Sequence, residues 1–122
     1  MSDLERTIDT YLAAYSEADE TTRSALVEQA FAADGELIDP PIDGRGHQGV
    51  SDMMAAVQGH YADHTFKRVS GVDEHHGYAR YAWELLAPDG TTALTGLDIA
   101  EVGEDGRLVR VVGFLGPLPE AA

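Results

Sequence analysis

Apolar residues recur three and four positions apart in three segments of the first half of the chain, which is the spacing of one helix face. The predicted helices run from Ser2 to about Ser16, from Asp19 to Ala33, and from about Val50 to Tyr61. Ser2 and Glu5 have the spacing of a capping box, which marks the start of the first helix. That helix carries an apolar stripe of five side chains: Leu4, Ile8, Tyr11, Leu12 and Tyr15.

The second half of the chain alternates apolar and polar residues, which predicts strands. Four strands are predicted, over Thr65–Val72, Tyr78–Leu86, Thr91–Val102 and Arg107–Leu115. A shorter strand, Glu36–Asp39, precedes them and ends at two prolines, and Ile42 to Gly49 is predicted to be a glycine-rich loop. Helices followed by a meander of long strands predict an α+β fold. We expect a strongly bent antiparallel sheet wrapped over three helices, as a cone with an apolar mouth, in a single domain spanning residues 1–122.

Asp98 is the first candidate for chemistry, because it lies in the middle of an apolar strand. Residues two apart share one face of a strand, so Asp98 shares its face with Leu94, Gly96 and Ala100. A carboxylate in such surroundings is either hydrogen-bonded for structure or kept protonated by desolvation, which raises its pKa.

Asp39 is the second candidate, at a strand end before two prolines. It is either a turn-forming residue or, with partial solvation, an ionised base. Two carboxyl groups in unlike surroundings are what an acid/base pair requires.

Composition and charge limit the possible partners. The chain has 122 residues, 22 acidic and 8 basic, and a net charge of −14, so it should repel phosphate backbones and nucleic acid is an unexpected partner. No apolar run approaches the roughly 20 residues of a membrane span. The acidic, amphipathic N-terminal stretch is unlike a secretory signal, so we expect a cytoplasmic protein with no membrane association. With no cysteine, thiolate and zinc–cysteine chemistry are excluded.

Four stretches resemble the nuclear transport factor 2-like superfamily, in its SnoaL-like and ketosteroid isomerase-like branch. They are TYLAAYSEAD in the first helix, FAADGELIDP, GRGHQGV, and GLDIAEVGEDGRLVRVVGFLG at the end of the chain. The resemblance implies a cone-shaped fold with a pocket for a small hydrophobic molecule, and a homodimer formed through the sheet. This superfamily includes isomerases, cyclases, dehydratases, epoxide hydrolases and proteins that only bind, so the fold alone does not fix the function.

The resemblance also implies catalytic roles. Asp39 falls where ketosteroid isomerase has its general base, and Asp98 where it has a protonated aspartic acid that donates to the enolate oxygen. Tyr11 falls at the tyrosine of the same oxyanion hole, with Tyr15 as an alternative. Where that enzyme has a supporting tyrosine this chain has Val57, which cannot donate a hydrogen bond.

We therefore expect a cofactor-independent isomerase acting on a steroid- or polyketide-like carbonyl compound. Asp39, Asp98 and Tyr11 are the expected catalytic residues, and we expect no metal site. The residues expected to contact the ligand are Tyr15, Met54, Trp83 and Phe114.

Three alternatives remain open from the sequence. In a SnoaL-like polyketide cyclase, Asp98 would itself be the base and would have to be ionised. In an epoxide hydrolase or dehydratase, an arginine such as Arg80 or Arg110 would have to face the pocket. A non-catalytic binding module would need neither.

His47 is a further candidate for ligand contact at the mouth of the pocket. His60 and His64 have helical metal-ligand spacing but make only two ligands.

Overall fold

The computed structural model describes residues 1–122 and contains three helices and seven strands. The helices are α1 (Asp3–Tyr15), α2 (Glu20–Ala30) and α3 (Gly46–His60). The strands are β1 (Phe31–Asp39), β2 (Ile42–Arg45), β3 (Thr65–Arg68), β4 (Asp73–His75), β5 (Tyr78–Leu86), β6 (Thr92–Val102) and β7 (Leu108–Leu115).

The predicted start of α1 is confirmed. The Ser2 side chain accepts a hydrogen bond from the Glu5 backbone N–H, and the Glu5 side chain accepts one from the Ser2 backbone, which completes the capping box. Asp19 caps α2 in a similar way, by accepting from the backbone N–H of Thr22. Most of the predicted apolar stripe of α1 is buried against the sheet: Ile8, Tyr11, Leu12 and Tyr15.

Two predicted boundaries are wrong for a shared reason. The second helix ends at Ala30 instead of Ala33, and the strand after it begins at Phe31 instead of Glu36. Phe31 pairs with Leu108 of β7. This long-range strand contact overrides the local helix preference of Ala32 and Ala33. The predicted loop from Ile42 to Gly49 is also wrong, because it contains β2 and the first turn of α3.

The strands form one curved, unclosed sheet in the order β2-β1-β7-β6-β5-β3, with β4 paired to the remaining part of β5. The predicted strand Thr65–Val72 is in fact a shorter strand, β3, and the separate β4 begins at Asp73. The predicted α+β class is confirmed. The sheet is not wholly antiparallel as expected, however, because β1 and β7 run parallel.

One face of the sheet is covered by the helices and forms the core. Along β5 the side chains of Ala79, Tyr81, Trp83 and Leu85 are buried, while Arg80 on the alternating face is exposed. The inner face of β6 carries Asp98 and Ala100. The helical layer contains no segment with the length and apolar content that crossing a membrane requires.

Candidate active site

The two candidate carboxyl groups lie on neighbouring positions of the inner sheet face. Asp98 of β6 is directly opposite Gly113 of β7, and Ile38 of β1 is opposite Val112, so Asp39 follows beside Gly113. A Cβ built on Gly113 would overlap Asp39 Oδ1 and lie 3.1 Å from Asp98 Oδ1. The two oxygens therefore lie within the roughly 4–6 Å over which a like charge raises a carboxyl pKa.

Asp98 is held in the apolar interior by donors from two elements. Its side chain is only 1% exposed, and its Oδ1 accepts a hydrogen bond of 2.9 Å from the indole Nε1 of Trp83. Burial, followed by the charge of Asp39, raises the pKa of Asp98 to about 7, and the nearby donors Tyr81, Trp83 and Tyr11 oppose the shift. Asp98 Oδ2 has no hydrogen-bond partner.

Asp39 has a different environment. The hydroxyl of Tyr15 donates a hydrogen bond of 2.8 Å to Asp39 Oδ2, and the other oxygen is buried without a partner. Burial raises the pKa of Asp39, and the Tyr15 hydrogen bond opposes that rise by stabilising the charged form. The sequence suggested that solvent would keep Asp39 ionised, whereas in the structure a tyrosine hydroxyl provides much of that stabilisation.

The two tyrosines of α1 lie near different carboxyl groups. Tyr15 donates to Asp39, and Tyr11 is close enough to Asp98 to lower the pKa of that carboxyl. A third tyrosine, Tyr81, was not singled out from the sequence. It is the cross-strand partner of Asp98, and its buried hydroxyl has no well-aligned hydrogen bond. The predicted hairpin pairing of β5 with β6 could have identified Tyr81 as a neighbour of Asp98.

A pocket of about 550 Å³ opens beside this group. Its wall is mainly apolar and aromatic, and the acidic side chain on it is Asp39. Asp98 is fully buried and lies behind Trp83 relative to this pocket. The aromatic residues of the wall are Tyr15, Tyr61, Phe66 and Trp83. The ring of Phe66 packs at a tilt on Tyr15 and meets Trp83 edge to face.

Two of the four residues expected to contact the ligand do not line this pocket. Met54 is fully buried in the core, on the side of α3 that packs on the sheet. Phe114 is 57% exposed because it lies on the outer face of β7. Tyr15 and Trp83 do line the pocket, and the sequence did not single out Phe66 and Leu94, which lie beside them.

Other polar candidates lie away from the pocket. His47 is in the first turn of α3 and its Nε2 is 2.8 Å from the carbonyl oxygen of Phe31, so it does not serve the mouth of the pocket. Arg80 pairs with Asp73, and Arg110 pairs with Glu36 and Glu101, all on the outer face of the sheet. The condition for an epoxide hydrolase arrangement, an inward-facing arginine on these strands, is therefore not met.

His60 lines the pocket, but His64 lies beyond the end of α3 and packs its ring against Tyr61. No cluster of three or more His, Asp or Glu side chains has the geometry of a metal site.

Solved structures place this geometry in a known family. A protein from Agrobacterium tumefaciens, assigned to the SnoaL-like family and proposed to be an isomerase, is 34% identical, with a TM-score of 0.88 over 96% of this chain and 100% of the other. An NTF2-like protein of unknown function from Exiguobacterium is 18% identical, with a TM-score of 0.71 over 92% of this chain and 99% of its own. A protein from Sinorhizobium meliloti, proposed to be a polyketide cyclase, is 16% identical, with a TM-score of 0.68 over 93% and 95%.

No family model and no curated protein matches the sequence. The fold is that of NTF2-like proteins. Among them, the chain belongs to the SnoaL-like family, since the Agrobacterium tumefaciens protein resembles it in sequence over nearly its full length.

The raised pKa of Asp98 makes the stability of the fold depend on pH. The unfolded carboxyl has the ordinary value of 3.8 and the folded one about 7, so between these values the folded state holds a proton that the unfolded state has lost. The free energy of unfolding should therefore fall as pH rises from about 4 to about 7, by at most about 1.4 kcal/mol per pH unit, and then level off. Urea denaturation should show a smaller slope in Asp98→Asn, with a remainder from the raised pKa of Asp39, while the exposed Asp43→Asn retains the full slope; an unchanged slope in Asp98→Asn contradicts the assignment.

The indole of Trp83 should tune the same carboxyl. Its hydrogen bond stabilises the charged form of Asp98, so Trp83→Phe, which keeps a ring but removes the donor, should raise the pKa of Asp98 above about 7. Carboxyl-carbon NMR titration measures this directly. Tyr78→Phe, on the outer face, is the control and should leave the midpoint where it is. A midpoint that stays fixed or falls in Trp83→Phe would show that the hydrogen bond does not act on Asp98.

Proposed function

We propose that this protein is a cofactor-independent acid/base enzyme that moves a proton beside a carbonyl group of a steroid- or polyketide-like molecule. The observation that carries the proposal is that two carboxyl groups in unlike surroundings lie close together beside an apolar pocket, which one of them lines. One is accessible from the pocket and stabilised as an anion by Tyr15, and the other is buried and holds its proton up to about neutral pH. Such a difference lets one carboxyl act as base while the other acts as donor.

Asp39 is the proposed base. It lines the pocket, and its carboxylate would take a proton from the carbon next to the carbonyl. The electrons left behind form an enolate, whose oxygen requires a hydrogen-bond donor. The protonated Asp98 and the neighbouring Tyr11 are the proposed donors; because neither lines the pocket, this role requires the wall to open toward them when substrate binds. Return of the proton from Asp39 to a different carbon completes an isomerisation without any cofactor.

The pocket indicates the kind of substrate. Its volume of about 550 Å³ lies within the range of sites for drug-sized molecules, and its aromatic walls favour a flat, apolar skeleton. No lysine or arginine lines it, so the wall has no permanently charged cation to bind a phosphate or carboxylate group on the substrate. An uncharged carbonyl compound fits this wall.

A polyketide cyclase mechanism is the second candidate, and it would use Asp98 as the base. This mechanism requires Asp98 to be ionised, and with a pKa of about 7 Asp98 is mostly ionised above neutral pH. The placement of the groups favours the isomerase, because Asp39 lines the pocket whereas Asp98 lies behind Trp83. A non-catalytic binding module would use the same pocket but would gain nothing from two acids buried together.

Replacement of Asp39 tests the proposal. Asp39→Asn should lower turnover of a β,γ-unsaturated ketone by about 10²–10⁴-fold, because it removes the general base while preserving shape. Binding of a fluorescent phenol of similar shape should persist in the variant, since the pocket walls are unchanged. Asp43→Asn, an exposed acid in β2, controls for the loss of one negative charge. Normal turnover in Asp39→Asn would exclude Asp39 as base, and absence of turnover in the unsubstituted protein would favour the binding module.

We also propose that the protein is a homodimer formed through the outer face of the sheet. Leu97 and Phe114 are cross-strand partners there, and they are 37% and 57% exposed. Ala82 is opposite Leu97 on the next strand, so the three side chains form an apolar row across β5, β6 and β7.

Light scattering should therefore report a dimer for the unsubstituted protein. The double variant Leu97→Glu with Phe114→Glu should be monomeric, because it places four buried carboxylates in the interface. Arg80→Glu, near the edge of that face, is the control for added negative charge. A monomer in the unsubstituted protein at all concentrations would contradict the proposal.

A further inference from the structure

We infer that Gly113 is a positioning residue, whose missing side chain allows the carboxyl groups of Asp39 and Asp98 to meet across the strand between them. The inference stands on the placement of these groups and does not depend on the proposed catalytic activity. It concerns a residue that does not itself line the pocket and that the sequence pattern presents only as one glycine of the last strand.

The sheet geometry shows why a side chain at position 113 matters. Strands lie about 4.8 Å apart, so β1 and β6, with β7 between them, are separated by about twice that distance. Two short aspartate side chains can approach across this gap only by leaning over β7. Gly113 lies at the crossing point, opposite Asp98 and beside Asp39. An added Cβ would occupy the position of Asp39 Oδ1 and press on Asp98 Oδ1 at 3.1 Å.

Glycine is otherwise an unfavourable choice in the interior of a strand, where it weakens packing and marks a close approach by another group. Gly113 is buried and has no positive backbone φ angle that would demand glycine. The space over its Cα is the remaining structural reason for glycine here, and a carboxyl oxygen fills that space.

The consequence of this approach is electrostatic coupling of the two acids. The groups that face Asp98 are Tyr11 of α1, Asp39 of β1, and Tyr81 and Trp83 of β5, while β7 contributes only Gly113. Among them Asp39 is the only other acid, and its charge adds to burial in raising the pKa of Asp98. Displacement of Asp39 by a methyl group at position 113 should therefore weaken this coupling.

The test is a carboxyl-carbon NMR titration of Asp98 in four chains: unsubstituted, Gly113→Ala, Asp39→Asn, and the double variant. The midpoint should fall from about 7 toward the ordinary value in both single variants. In the double variant it should equal that of Asp39→Asn, because both changes remove the same charge from the neighbourhood of Asp98. A midpoint that stays at about 7 in Gly113→Ala, or shifts that add in the double variant, would overturn the inference.

Folding provides a second readout if Gly113→Ala is too unstable to titrate. Asp39→Ala removes the carboxyl group with which the new methyl group collides, so Asp39→Ala with Gly113→Ala should regain most of the urea midpoint lost in Gly113→Ala. Gly59→Ala is the matched control, because nothing lies within 4 Å of a Cβ at that position, and it should not lower the midpoint. Failure of Asp39→Ala to rescue the fold would overturn the inference. None of these measurements uses a substrate, so their outcome is independent of whether the protein is an isomerase.

Discussion

Two carboxyl groups cannot both be ionised at close range in an apolar interior without a large electrostatic cost, and much of this structure follows from that constraint. The pair in this protein meets over a strand position that carries no side chain. Burial makes the charged form of each acid costly, so the site lowers that cost by keeping a proton on one of them. Asp98 is the acid that keeps it, because it is the more deeply buried and has the negative Asp39 as a neighbour.

The division of roles between the acids comes from their hydrogen-bond donors and from their access to the pocket. Asp39 receives the hydroxyl of Tyr15 and lines the pocket, so its anion is stabilised where a ligand can reach it. Asp98 receives the indole N–H of Trp83, which also forms part of the pocket wall. Trp83 in turn lies over Gly96, where a Cβ would overlap its indole ring. Two glycines of the inner face therefore make room for the site, one for an aromatic ring and one for a carboxyl oxygen.

Local patterns in the sequence were sufficient to predict the helices, the long strands and the inward direction of Asp98, because capping, helical spacing and strand alternation are all short-range properties. The extent of β1 could not be predicted in this way, since it depends on parallel pairing with β7, more than 70 residues away along the chain. The same long-range pairing determines which residue separates Asp39 from Asp98. The position of Met54 and Phe114 outside the pocket has a related reason: apolar character predicts burial or contact, but the curvature and covering of the sheet determine which apolar residues face the pocket.

The placement of the arginines explains why no cationic side chain balances the two acids of the site. The net charge is −14, and arginines of the strands are engaged with carboxylates on the outer surface, as Arg80 is with Asp73 and Arg110 is with Glu36. None of them lines the pocket. A buried carboxyl pair without a neighbouring cation lowers its net charge by binding a proton from solvent. The state of the site is then set by pH and by any ligand that accepts or donates a proton there, and such sensitivity is what proton-transfer chemistry near neutral pH requires.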